Sequence, residues 1–273
     1  MADPFDLEAY FKRIGFTGPP GADLATLTAL QGLHVTTIPF ENLNPLMGLP
    51  VELDPASLQA KLVGQRRGGY CFEQNAVFRD ALTAIGFCAA NHAPPVRWMA
   101  PPDAPMSPRA HMLLQVDLND GPWLADVGFG GHILGAPIRM VAGVEQTAMG
   151  ATLRLVDNGV LGLRLETLLP DGWQALYIFR LEPVFHADYV QANWSTSTHP
   201  TSIFVNGLMA ERLTPEARYS LFNRKFTTRW ADGRTEQRAL ADAEDFAQVL
   251  DEAFNVTPPA PAEAIWVKLP ERS

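Results

Sequence analysis

The amino-acid sequence predicts an α+β chain whose local pattern changes character twice. A helical periodicity runs from Asp6 to about Gly86, a strict two-residue alternation punctuated by turn signals follows it, and the last third mixes the two. With 47% apolar and only 19% charged side chains among 273 residues, the chain can bury a large core, which excludes a disordered protein.

The first unit, residues 1–86, reads as a helical bundle. Leu7, Tyr10, Phe11 and Ile14 share one helical face, and Leu24, Leu27, Leu30 and Leu33 recur every third residue behind Asp23, a candidate cap. A third segment covers 57–63 and ends in a glycine break. Cys71 opens a fourth, in which Phe72, Ala76, Phe78, Leu82 and Ile85 form an apolar stripe that stops at Gly86.

The second unit, 87–195, reads as antiparallel β closing into a barrel. Met112, Leu114, Val116 and Leu118 alternate with His111, Leu113, Gln115 and Asp117, and a second run, 123–129, follows the turn Asn119-Asp120-Gly121-Pro122. Leu153 and Leu155 lead into Asp157-Asn158-Gly159, after which Leu161, Leu163 and Leu165 resume the alternation and 173–181 adds a strand. The third unit, 196–273, reads as an α/β lid. A short helix at 187–194 precedes it; strands are expected at 202–208 and 219–230, a hairpin turn at Ala231-Asp232-Gly233-Arg234, and a helix over 242–254. Pro258-Pro259-Ala260-Pro261 breaks that helix before an apolar run at 264–269.

Charge narrows the function classes. Lys and Arg number 21 against 30 Asp and Glu, a net charge of −9, which argues against nucleic acid or an anionic membrane as partner. The apolar window 81–90 is about half of the roughly 20 residues a membrane span needs. Met1-Ala2-Asp3-Pro4-Phe5-Asp6 shows no basic stretch leading into an apolar one, so no secretory signal is expected and the location is expected to be cytoplasmic. The cysteines, Cys71 and Cys88, form no CxxC pair, and His34, His92, His132, His186 and His199 show no metal-ligand spacing, so no metal is expected.

The chemistry concentrates at Arg66-Arg67-Gly68-Gly69-Tyr70-Cys71-Phe72-Glu73-Gln74-Asn75. Two glycines permit a tight turn, after which the thiol stands where a helix begins, beside unpaired N–H groups and the positive end of the helix dipole. Helix N-termini and an imidazolium neighbour lower a thiol from about 8.5 to roughly 3.5–7.5, which makes Cys71 a candidate nucleophile. Cys88 follows Phe87 in a β run and reads as a small buried hydrophobe.

A nucleophilic thiol needs a base and a group that orients the base. Pairing about the 119–122 turn sets residues whose numbers sum to roughly 237–241 opposite one another, so His111 and Asp126 become near cross-strand neighbours. Asp126 could hold one tautomer of the imidazole and stabilise its protonated form. Directly after it, Gly128, Gly130 and Gly131 suggest a loop whose N–H groups cradle a phosphate beside the thiol.

On these motifs the chain resembles the arylamine N-acetyltransferases of prokaryotic type. The resemblance rests on Ile38-Pro39-Phe40-Glu41-Asn42-Leu43, on 67–75, on His111 in a His-Met-Leu-Leu strand, on Asp126-Val127-Gly128-Phe129-Gly130, and on Pro200-Thr201-Ser202-Ile203-Phe204. It implies the three-part architecture with a cysteine-proteinase-like core, and a Cys71–His111–Asp126 triad in which Cys71 accepts the acetyl group. Acetyl-CoA is then a co-substrate, with no permanently bound cofactor; the acetyl group passes through a thioester to a small aromatic amine or hydrazine with ping-pong kinetics, as in xenobiotic metabolism. Trp98, Gly128, Phe129, Gly130 and Phe204 match positions that contact the cofactor and amine cleft in relatives. Glu41 and Arg67 are expected to form an ion pair that steadies the cysteine loop. Ala110 stands where relatives often carry Thr. An amide synthase of the same fold acting on a carrier-bound acyl chain and a cysteine hydrolase or transglutaminase-like enzyme are the alternatives, and homo-oligomerisation stays open.

Overall fold

The computed structural model describes residues 5–101 and 103–270; Met1 to Pro4, on which part of the reading of the N-terminus rests, lie outside them. Helix α1 (Leu7–Ile14) starts where the Asp6 carboxylate accepts from the Ala9 N–H, and α2 (Leu24–Thr37) starts where Asp23 accepts from Thr26 at 2.8 Å. The chain continues through strand β1 (Phe40–Glu41), α3 (Leu43–Met47) and α4 (Pro55–Gln59), which runs into a π-helical turn at Ala60–Gly64. Helix α5 (Cys71–Ile85) buries Phe72, Phe78 and Leu82 completely and ends at Gly86, whose φ of 106° is open to glycine without strain.

Strands β2 (Cys88–His92), β3 (Leu113–Leu118), β4 (Gly121–Ala125) and β5 (Ile138–Arg139) form one antiparallel sheet in that order. Strands β6 (Glu145–Ala148), β7 (Ala151–Asp157), β8 (Leu163–Leu169) and β9 (Gly172–Phe179) form a second. The expected barrel does not close. Residues 95–97 hydrogen-bond along β9, but β5 is only two residues long and no ladder joins it to β6, so both sheets stay open. Strand β3 is buried on both faces: Met112, Leu114 and Val116 pack with the helices, Leu113 with the apolar side chains between the two sheets.

The last third holds α6 (His186–Thr198), α7 (Ile203–Asn206), β10 (Met209–Leu213), β11 (Ala217–Phe222), β12 (Lys225–Trp230), β13 (Thr235–Ala239), α8 (Ala243–Glu252) and α9 (Ala262–Trp266). Its strands complete a third sheet in the order β1-β10-β11-β12-β13, so a strand from the first third is an edge of the last. The strand expected at 202–208 is instead the turn of α7: Ser202 caps the Phe204 N–H, and the Asn206 amide reaches back to the carbonyls of Pro200 and Ser202. The run expected over 219–230 is two strands, broken where Asn223 adopts a φ of 52° and its side chain accepts from Leu208. Cys88 is exposed, because β2 turns its first side chain outward, and is not the buried hydrophobe its neighbours suggested.

Among the described residues no helix is long and apolar enough to cross a membrane. Phe78, fully buried and edge-on to the His34 ring at 5.5 Å, belongs to the core shared by helices and β3. Phe78→Ala is expected to lower unfolding free energy by about 3–5 kcal/mol in a urea titration. Val160→Ala, at a side chain 86% exposed, should change it by less than about 0.5 kcal/mol.

Candidate active site

The cysteine loop is built from glycines and buried charge. A Cβ on Gly68 would stand 2.1 Å from the Pro39 carbonyl oxygen and one on Gly69 2.7 Å from the Glu73 carboxylate, so only glycine lets the loop lie against both. Glu73 accepts from the Tyr70 N–H, which starts α5, and is paired to Lys61 at 2.6 Å. The Arg67 guanidinium donates to Glu41 Oε1 through Nε and Nη2, and Glu41 Oε2 accepts from the Leu43 N–H. Burial works against the Glu41 charge, yet Arg67 and Lys61 hold its carboxyl below the ordinary value. Beneath the loop, Gln74 donates to the carbonyls of Pro39 and Gly69 and accepts from His34, which in turn accepts from the Tyr10 hydroxyl. Burial pushes the His34 imidazole down to about 4 against the opposing pull of Gln74.

Cys71 is the first residue of α5, 4% exposed, its sulfur 3.7 Å from the Ala110 carbonyl oxygen. His111 lies just before β3, on the side of the strand that faces the second sheet. Its Nε2 donates to Asp126 Oδ2 at 2.7 Å, and the Cys71 side chain interacts with the same ring. The observed register pairs Leu114 with Ala125 and Gln115 with Leu124, which makes His111 and Asp126 diagonal neighbours on one face.

Asp126 is fully buried and saturated. Oδ2 also accepts from the Tyr177 hydroxyl at 3.0 Å; Oδ1 accepts from Asn75 Nδ2 at 3.0 Å and from the Gly128 N–H at 2.9 Å. Burial alone would push the His111 imidazole down; the Asp126 carboxylate and its hydrogen bond, with help from Cys71, reverse this and push it up to about 10.

The turn after Asp126 is pressed against this centre. A Cβ on Gly128 would stand 2.7 Å from Cys71 Cα, one on Gly130 2.5 Å from the Phe40 ring, and one on Gly131 2.9 Å from Trp98 Nε1. Phe129, between them, stands edge-on to the His111 ring with centroids 5.1 Å apart. Phe204 packs against the rings of Phe40 and Tyr70. Cys71, His111, Asp126 and Trp98 therefore meet at the turn formed by Gly128, Phe129 and Gly130, while Phe204 lies one ring away, behind Phe40.

The expected phosphate cradle is corrected. The N–H of Gly128 goes to Asp126, that of Gly130 to the Gly128 carbonyl, and that of Gly131 to the Glu211 carboxylate at 2.5 Å. The anion in this nest is the protein's own. Sequence reasoning left out Tyr177, Glu211 and the part played by Asn75. Asn75 carried a signal, since it lies one helical turn beyond Cys71 on the same face. Among the described residues no group of three or more His, Cys, Asp and Glu side chains could hold a metal ion.

Comparison with known proteins agrees over nearly the whole chain. Residues 23–260 match the N-acetyltransferase family model. The arylamine N-acetyltransferase of Mycobacterium tuberculosis is 42% identical over 254 residues, covering 92% of this chain and 89% of the relative. The solved arylamine N-acetyltransferase of Mycobacterium marinum superposes with a TM-score of 0.92 at 39% identity, covering 97% of this chain and 99% of that one. The same enzyme solved in complex with CoA gives 0.91 at 37% identity, over 96% of this chain and 98% of that one.

Because the folded state raises the His111 pKa from 6.5 to about 10, its contribution to stability is fully present below pH 6.5 and is lost as the pH rises through about 10. Urea titrations should show wild type and His111→Gln converging across that window. Gly128→Ala forces the turn off Cys71, and alkylation of Cys71 by iodoacetamide should slow roughly ten- to hundred-fold, read by intact mass.

Proposed function

The chain belongs to the arylamine N-acetyltransferase family, and from that premise we propose that it moves an acetyl group from acetyl-CoA, through an acetyl-Cys71 thioester, to the nitrogen of an arylamine or arylhydrazine. The observation that carries this reading is a buried imidazole, one residue from the Ala110 carbonyl that the Cys71 sulfur approaches at 3.7 Å, hydrogen-bonded to a carboxylate whose other acceptor sites are all taken. An imidazolium beside the sulfur supplies the positive charge that an attacking thiolate needs.

In the first half-reaction the thiolate adds to the thioester carbonyl. N–H groups in the first turn of α5, which have no acceptor four residues earlier, stabilise the oxyanion. The carbon–sulfur bond to CoA breaks, the CoA thiolate takes the proton from His111, and acetyl-Cys71 remains. In the second, the amine nitrogen adds to the acetyl carbonyl, His111 takes its proton, and the Cys71 thiolate leaves as the amide forms. Asp126 keeps Nε2 of His111 occupied, so the other ring nitrogen does both transfers. Trp98, Phe129 and Phe204, with Gly128 and Gly130, line the approach for donor and amine in this reading.

Cys71 is only 4% and His111 only 2% exposed, which in this reading favours a slender acyl arm over a polypeptide laid across the sulfur. Similarity to an arylamine N-acetyltransferase, 42% identical along 92% of the chain, supports the transferase over the amide-synthase alternative, which uses the same three side chains.

Incubation with acetyl-CoA and no amine should give one acetyl adduct by intact mass. The adduct should be missing from Cys71→Ala, present in Cys88→Ala, and discharged by an aryl hydrazine. A wild-type protein that stays unmodified would refute the reading.

A further inference from the structure

The turn that carries Asp126, Gly128 and Phe129 is held at both ends, and the second hold comes from the sheet farthest along the chain. Glu211, on β10, is 3% exposed. Its Oε2 accepts from the Gly131 N–H at 2.5 Å, and its Oε1 accepts from the Ile133 N–H at 3.4 Å and from Arg218 Nη1 at 2.7 Å. Arg218, on β11, also donates through Nη2 to the Ile133 carbonyl at 3.2 Å. The pair thus engages both N–H and C=O groups of one short stretch of backbone.

The same strand ladder brings a second contact to the turn. Phe40 pairs with Glu211 in register, and the Phe40 ring fills the space that a side chain at position 130 would need. At its other end the turn is tied to α5, where Asn75 donates to Asp126 and accepts from the Val127 N–H at 3.1 Å. Between the two ties sit Gly128, against Cys71 Cα, and Phe129, edge-on to His111.

We propose that Glu211, oriented by Arg218, is a positioning residue for the acyl transfer: it holds residues 128–133 so that Phe129 and Gly128 keep His111 and Cys71 in reacting geometry. It touches neither the sulfur nor the imidazole and acts through the backbone between them. The proposal rests on Cys71 being the nucleophile. Its physical basis is charge-assisted hydrogen bonding: a buried carboxylate accepting from two peptide N–H groups fixes them more firmly than neutral acceptors do. A glutamine in its place turns one acceptor oxygen into an N–H donor that faces either the Gly131 N–H or the donors of Ile133 and Arg218.

The test uses the full-length chain and iodoacetamide as probe, with alkylation of Cys71 followed by mass at pH 6 and pH 9, well below the melting temperature of each variant. Glu211→Gln is expected to slow alkylation at pH 6 roughly ten- to hundred-fold while losing less at pH 9, and to lower kcat for acetyl transfer in parallel. Arg218→Met should move both in the same direction by a smaller factor, and Glu236→Gln, an exposed carboxylate on β13 of the same sheet, should change neither. If Glu211→Gln lowers only the melting temperature and the folded protein alkylates and turns over at wild-type rates, the residue is merely structural and the proposal fails. If it does not fold, Arg218→Met decides, and wild-type alkylation there overturns the proposal. Because alkylation needs neither acetyl-CoA nor amine, its outcome is distinct from failure of wild type to form an acetyl adduct.

Discussion

The buried Asp126 carboxylate is the interaction on which the rest of the centre depends. An ionised carboxylate without water around it is costly unless each lone pair is used, and here all four donors come from different places: His111 ahead of β3, Tyr177 on β9, Asn75 on α5 and the backbone of Gly128. Satisfying one side chain therefore ties the helical part, the first sheet and the second sheet together. Removing any one donor leaves the others holding a less solvated charge, so the group behaves as a unit rather than as independent contacts.

Two further devices protect that arrangement. The cysteine loop is fixed from below by Gln74 and from the side by the Glu41–Arg67 and Glu73–Lys61 pairs, each buried deeply enough to avoid the screening that makes surface pairs weak. The glycine turn is fixed by close approach. Gly128 and Gly130 serve space, because a side chain there would collide with Cys71 or Phe40, and Gly131, pressed against Trp98, also takes a φ of 98° that favours glycine.

Much of this was legible in the sequence, and the parts that were share a cause. Asp23, Gly86 and the Asn119 to Pro122 turn act within a few residues of chain, so local rules locate α2, the end of α5 and the β3–β4 hairpin. The hairpin then carries His111 to Asp126, since register follows from turn position. What was not legible needs distant partners. Whether sheets close into a barrel depends on a seam between β5 and β6 that no local pattern encodes, and Tyr177 looks like any other residue of an alternating strand. The glycine run reads as an anion site, and an anion does occupy it: the Glu211 carboxylate, 80 residues downstream of Gly131. Residues 202–208 read as a strand because their apolar content outweighs the weak Ser202 cap, which becomes visible only with the Asn206 amide turned back on the chain.

The His34–Gln74 connection has a consequence for how the protein survives its own chemistry. In the proposed reaction His111 gains and loses a proton in every turnover, and a scaffold that changed charge in step with it would breathe with each cycle. His34 sits in the same core, yet burial pushes its imidazole down to about 4, so the props under the cysteine loop take no part in that proposed proton traffic. One imidazole is a moving part and the other a fixed strut, distinguished only by whether an anion was placed at its side.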